Sequence, residues 1–225
     1  MKAVVISVDF ADYLAVTLPR NAPHFEEVVV VTTPQDKATA WVVESCPNAR
    51  LLRTDVFEAK DAAFNKGAGI VEGLRQLGRS GWICLLDADV LLPSAGLKMI
   101  WPPNHLYSPL RYMCDAPDLW DGKMDNWEDK YTLHTDIMPG GYCLFFHADD
   151  RNLDPWPAFP THWMNGASHQ EFQDKWHPSR KHRIGFDVLH LGRPAQNWYG
   201  RTVPPLNWTP PEGHQRRKRH KKGAI

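Results

Sequence analysis

Four short runs rich in Val, Ile and Leu constrain this chain most: residues 3–8 (AVVISV), 28–32 (VVVVT), 50–53 (RLLR) and 82–86 (WICLL). None alternates strictly between apolar and polar side chains, so each reads as a strand covered on both faces. Helical signals lie between them. Thr33 followed by Pro34 predicts an N-cap and a first-turn proline, with Asp36 placed to favour the helix N-terminus, and Ala38, Trp41, Val42 and Ser45 mark one face. Ile70, Val71, Leu74 and Leu77 mark the face of a further helix, ended by Gly78. The order β-α-β-α-β-α-β, joined by right-handed crossovers, predicts an α/β fold: a mostly parallel, doubly wound sheet with helices on both faces. Ligands of such sheets bind beyond the carboxyl ends of the strands. Chemistry is therefore expected just after Val8, Thr32, Arg53 and Leu86.

Composition changes at mid-chain, because 15 of the 19 Pro and eight of the 10 Trp lie from Pro93 onward. The expected organisation is one domain over residues 1–205, in which a regular nucleotide-binding half (1–92) precedes an irregular, aromatic-lined acceptor-side half (93–205). In that second half, strands are expected at 141–147 and 186–191 and a helix over 169–176. Residues 206–225 read as an appended, mobile segment. At 225 residues and 43% apolar content, the chain can bury one substantial core. No apolar run approaches the roughly 20 residues of a membrane span.

Asp9 and Asp12 interrupt the N-terminus before a secretory apolar segment could form, and Cys46, Cys84, Cys114 and Cys143 form no C-x-x-C pair. Free thiols in a reducing, cytoplasmic setting are the expectation, the host cytoplasm if the protein is viral. The zero net charge is a cancellation. Residues 216–222 (RRKRHKK) hold six of the 26 Lys and Arg, leaving 20 basic against 26 acidic residues elsewhere.

The sharpest chemical signal is GWICLLDADVLLP. A buried strand runs into Asp87-Ala88-Asp89, the one D-x-D of the sequence, so two carboxylates emerge together at the ligand edge. Burying both without a cation is costly, and hard divalent ions such as Mg²⁺ or Mn²⁺ take carboxylate, water and phosphate oxygens.

This sequence resembles glycosyltransferases of the GT-A fold, in particular family 2-like enzymes, including versions found in bacteriophages. The matching segments, in the family's order, are DFADYLAVTLPRN, VVVVTTPQD, FNKGAGIVEGL, LLDADVLLP, MPGGYCLFFH, ASHQEFQDKW and VLHLGRPAQNWYGR. The resemblance implies transfer of a hexosyl group from a nucleoside-diphosphate sugar, most simply a UDP-sugar, to an acceptor hydroxyl, with Mn²⁺ or Mg²⁺ as cofactor. It implies that Val8, Asp9, Tyr13, Thr32 and Asp55 surround the nucleoside, and that Asn65 and Lys66 face the diphosphate or sugar. Asp87 and Ala88 would meet ribose, sugar or metal-bound water, and Gly140 and Gly141 would let backbone approach the donor sugar. Asp89 and His190 would ligate the metal, with Asp87 beside them. For the base that activates the acceptor, Glu171 is the first candidate and His169 the second, because an Asp usual in this segment is missing. Trp163, Trp176 and Trp198 are candidates for stacking on sugar or acceptor faces.

Gly67, Gly69 and Gly73 superficially suggest dinucleotide binding, with Asp89 downstream, yet a dozen residues separate the preceding strand from Gly67. That motif needs its first glycine in a tight turn directly after a strand, so the glycines instead predict close helix packing. The basic run suggests an attraction to phosphate backbone; coupled with the resemblance to bacteriophage enzymes, it suggests a hydroxymethylated base in DNA as acceptor, with a sugar, lipid or protein hydroxyl left open. Two other functions compete. A nucleotidyltransferase acting on a sugar phosphate also uses D-x-D and a divalent ion, but the loop after the first strand lacks the glycines of a pyrophosphate loop. A nonenzymatic nucleic-acid-binding module would depend on the basic run alone.

Overall fold

The computed structural model describes residues 1–61, 64–95, 97, 101–135, 139–161, 165–193, 197, 201–203, 205–208 and 212, with backbone only at 59–61, 119 and 165–167. The four apolar runs form β1 (Lys2–Ile6), β2 (Glu27–Thr32), β3 (Ala49–Arg53) and β4 (Trp82–Asp87). They pair in parallel in the order β3-β2-β1-β4. Between them lie α1 (Ala11–Asn21), α2 (Lys37–Glu44) and α3 (Lys66–Leu77), as the β-α alternation predicts.

Alternation along the strands divides the core in two. Ala3, Val5, Val28, Val30, Cys84 and Leu86 face Leu14 and Leu18 of α1 and Val42 and Val43 of α2. Val4, Ile6, Val29, Val31, Ile83 and Leu85 face Ile70, Leu74 and Leu77 of α3. The sheet is thus covered on both sides, which is why its strands read as continuous apolar runs. The glycines of α3 permit this packing, since a Cβ at Gly73 would stand 2.5 Å from Val4 Cγ1 and one at Gly69 2.4 Å from the Phe57 ring.

Beyond β4 the sheet becomes mixed. It continues through β8 (Cys143–His147) to β6 (Leu106–Cys114) and β9 (Lys181–Leu191), with β5 (Val90–Leu91) outside β9 and β7 (Thr132–His134) paired to β6. β8 is antiparallel to β4 and to β6, β6 and β9 run parallel, and β5 and β7 pair antiparallel with β9 and β6. β6 has no counterpart among the sequence expectations because Pro109 interrupts its apolar pattern; the ladder with β9 slips between Ser108 and Leu110, where proline offers no N–H. β9 begins five residues earlier than expected, its polar start pairing with Leu106–Ser108. The last helix, α4 (Asn165–Gln173), overlaps the expected range but starts four residues and ends three residues earlier, and Phe172 and Trp176 pack on Phe146.

Two further expectations are corrected. Asp36, not Thr33, caps α2: its carboxylate accepts from Thr39 N at 3.0 Å, while residues 33–36 form a turn. Trp176 is a core residue rather than a sugar platform, 1% exposed with its Nε1 donating to Asp150 at 2.6 Å. Near the expected boundary at 206, Leu206 is buried and Trp208 meets Trp41 at 6.2 Å between ring centroids. All four cysteines are free and buried. Among the described residues no helix is long and apolar enough to cross a membrane.

Candidate active site

The carboxyl end of β4 gathers the charged groups. Ile6 of β1 is in register with Asp87, so the β1–α1 loop and the D-x-D turn leave the sheet side by side. Helix α1 anchors that turn from behind. Thr17 Oγ1 donates to Ala88 O at 2.7 Å; Asn21 donates to Val90 O at 2.7 Å and accepts from Leu92 N at 2.9 Å. Ala88 therefore contributes a buried backbone anchor.

His190 reaches Asp89 through strand pairing. Val90 and Leu91 of β5 lie antiparallel to His190 and Leu189 of β9, and Leu191 N donates to Asp89 O at 2.8 Å. This places His190 Nε2 3.4 Å from Asp89 Oδ1, with both side chains about nine-tenths buried. Lys66, first residue of α3, forms an ion pair with Asp87 from the other side. The Asn65 side chain caps that helix by accepting from Ala68 N at 2.9 Å, and so fixes where Lys66 projects.

The two carboxylates are pushed in opposite directions. Burial raises Asp87, against the pull of Lys66 and with a contribution from the Asp89 charge. Burial also opposes ionisation of Asp89, but His190 and Lys66 outweigh it and hold that carboxyl below its ordinary range. Each acid therefore raises the cost of ionising the other.

The Asp89–His190 separation is longer than a usual N–H···O bond yet short enough for both atoms to face one ion, with Asp87 adjacent. Among the described residues no group of three or more His, Cys, Asp or Glu side chains could hold a metal ion. A cation held by Asp89 and His190 would therefore draw its remaining ligands from water and substrate phosphate, as Mg²⁺ and Mn²⁺ do.

On the nucleoside side the expected residues divide. Asp9 and Asp55 stand at the rim after β1 and β3, half-buried and exposed respectively. Val8 and Thr32 are buried, and Thr32 Oγ1 donates to Asp36 Oδ2 at 3.2 Å. Tyr13 is fully enclosed in α1 and has no surface for a base; burial pushes its hydroxyl up to about 12, although Arg201 pulls the other way. Gly140 and Gly141 are tight for a different reason from the one expected. The space a side chain would take is filled by the Tyr142 ring at Gly140 and by the His169 imidazole, 2.9 Å away, at Gly141.

His169 and Glu171 part company on α4. Two residues of helix turn them to opposite sides. Glu171 is exposed, whereas His169 packs against Gly141 and Phe159. Burial first and then Lys66 hold the His169 imidazole well below its usual range, hence neutral, and neither enclosed ring nitrogen makes a hydrogen bond. Trp163, Trp198 and the basic run lie outside the described residues. The sequence reading gave no site role to Thr17, Asn21, Asp36, Asp12 or Arg201, although all five lie in the segments that carry the resemblance.

No protein-family model and no curated protein sequence matches the chain. Among solved structures it is similar to an inositol-1-phosphate CTP transferase from T. maritima (12% identity, 86% of this chain and 90% of that one, TM-score 0.49). It is also similar to a 4-diphosphocytidyl-2C-methyl-D-erythritol synthase from Anaerococcus prevotii (14%, 90% and 91%, TM-score 0.45). A third similar structure is the apo-form glycosyltransferase GlyE of Streptococcus pneumoniae (6%, 81% of this chain but 44% of that one, TM-score 0.43).

Proposed function

We propose that this protein is a metal-dependent glycosyltransferase that moves a sugar from a nucleoside-diphosphate sugar, with a UDP-sugar as first choice, to an acceptor hydroxyl. The observation that carries the reading is the convergence of Lys66, Asp87, Asp89 and His190 at the carboxyl end of β4. Breaking the bond from the anomeric carbon to the diphosphate places growing negative charge on the leaving phosphate. A bound Mn²⁺ or Mg²⁺ would supply a positive charge to offset it. Asp89 and His190 would hold that ion. Lys66 adds a second cation facing the phosphates, and Asp87 keeps its ammonium oriented.

Glu171, exposed on α4, stays the first candidate to take the acceptor's proton, and His169, whose ring nitrogens are enclosed and whose imidazole is held well below its usual range, the second. A positioned base of this kind contributes about 10² to 10⁴-fold. Residues 216–222 support a polyanionic acceptor, a hydroxymethylated base in DNA. A salt-independent rate on such DNA, or no rate on any strand, removes that acceptor and leaves the transferase standing.

Thermal shift against a panel of nucleoside-diphosphate sugars, with and without Mn²⁺, tests the reading. A donor at about 100 times its Kd stabilises by roughly 2.7 kcal/mol. One donor should give a shift that needs Mn²⁺ and disappears in Asp89→Asn; no shift with any donor refutes the proposal. A nucleotidyltransferase is the second reading, because Lys66 beside two acids also suits a triphosphate. Release of pyrophosphate from a nucleoside triphosphate mixed with sugar phosphates would favour it.

A further inference from the structure

The β1–α1 loop contains a non-glycine residue in the left-handed region: Asp9, with φ of 61°. Such a conformation is uncommon outside glycine, although Asp adopts it more readily than most residues, and it persists where the surroundings over-determine it. Here two buried charged groups from distant parts of the chain hold the same residue. Its N–H donates to Asp36 Oδ2 at 2.8 Å, and its carbonyl accepts from Arg201 Nη1 at 2.7 Å.

Both groups are themselves locked. Asp36 is fixed by Thr39 N, Thr39 Oγ1 at 2.8 Å and Thr32 Oγ1. Arg201 makes a two-pronged ion pair with Asp12, whose Oδ2 also accepts from Leu206 N at 2.7 Å. Arg201 Nε donates to Val203 O at 3.1 Å, and its guanidinium lies 5.0 Å from the ring centroids of both Phe10 and Tyr13. Side-chain exposure is 8% for Arg201 and 4% for Asp12. A lysine could not reproduce this fork, because four directed N–H bonds and two ring faces require a planar guanidinium.

We infer that Arg201 and Asp36 are positioning residues for the donor nucleotide: together they hold the Asp9 peptide in its left-handed turn, at the sheet edge beside Asp87, and so direct Asp9 toward the nucleoside. The inference rests on the proposed function. A role in stability alone would not require both clamps to converge on the peptide of one strained residue at the ligand edge.

The experiment measures binding of Mn²⁺ with UDP, GDP, CDP and ADP in turn, by calorimetry on the full chain. The variants are Arg201→Lys, Asp9→Ala and the two combined, with far-UV circular dichroism as the folding check. Asp36→Asn, which keeps a capping acceptor, carries the same test should Arg201→Lys not fold. Arg201→Lys or Asp36→Asn should weaken the nucleotide that wild type binds by between about tenfold and a hundredfold. Combined with Asp9→Ala, neither should weaken it further, because residues acting through one contact are not additive. Wild-type affinity in the folded clamp variant, or losses that multiply in the double variant, overturns this inference alone. A wild-type protein that binds none of the four nucleotides overturns it together with the proposed function.

Discussion

His190 Nε2 lies 3.4 Å from Asp89 Oδ1 because β5 and β9 pair in a register that sets Val90 opposite His190. The pairing is two residues long on the β5 side, so its precision depends on the anchors of the D-x-D turn as much as on the ladder. Asn21 and Thr17 supply those anchors from α1.

Asp89→Asn and His190→Gln should each reduce Mn²⁺-dependent donor turnover by at least about a hundredfold, since each removes one of the two ligands proposed to hold the compensating charge. Hydrolysis or transfer of the donor identified by thermal shift, assayed across a Mn²⁺ titration, checks this. Turnover within twofold of wild type in either variant would take that residue out of the metal site.

Lys66→Met should weaken donor binding by about tenfold or more by removing the charge-assisted phosphate contact proposed for it. It also strips Asp87 of its partner, which leaves a carboxyl already raised by burial still easier to protonate. Calorimetric titration of the donor at fixed Mn²⁺ gives the answer.

Asn21→Leu should cost about 2–3 kcal/mol in urea unfolding, because the buried Val90 carbonyl and Leu92 N–H both lose their partner. A change below about 0.5 kcal/mol would show that the turn does not depend on α1.

Stability should fall in mildly acidic solution through His169. Unfolded imidazole titrates near 6.5, while burial and Lys66 hold the folded group well below that. The unfolded state therefore gains a proton first. The contribution is complete above about pH 6.5 and is lost as pH drops toward the folded value, at no more than about 1.4 kcal/mol per unit. Urea unfolding of wild type and His169→Leu at pH 7.5, 6.0 and 5.0 should show the wild type losing more on acidification; parallel losses would exclude this histidine as the cause.

Gly73→Ala should destabilise by about 1–3 kcal/mol, because the added methyl meets Val4 and Val31 of the sheet rather than open space. Gly78→Ala meets no neighbour, but carries strain from a φ of 71°. Unfolding midpoints of the pair separate steric from conformational cost.

The parallel half of the sheet was legible because strands buried on both faces must be apolar throughout, and because α3 carries its periodicity and its terminating glycine within a dozen residues. The D-x-D was legible because the two acids follow a buried strand directly. β6 was not, since Pro109 breaks its pattern and only pairing with β8 and β9 makes it a strand. The cap of α2 was misplaced by three residues because Thr33 and Asp36 are both good caps, and the choice falls to Asp36 through its bonds to Asp9, Thr32 and Thr39. Trp176 and Tyr13 have the chemistry of ligand platforms, but both side chains are spent in the core.

Local patterning thus determined the β-α order and the edge at which acids would emerge, because periodicity and capping act over a few residues. The partners of those acids, the imidazole facing Gly141 and the Arg201 clamp on Asp9 were decided by tertiary structure. These contacts join residues on different elements, well beyond the reach of local patterning, and whether a polar side chain reaches a ligand or a buried partner depends on what the rest of the fold places against it.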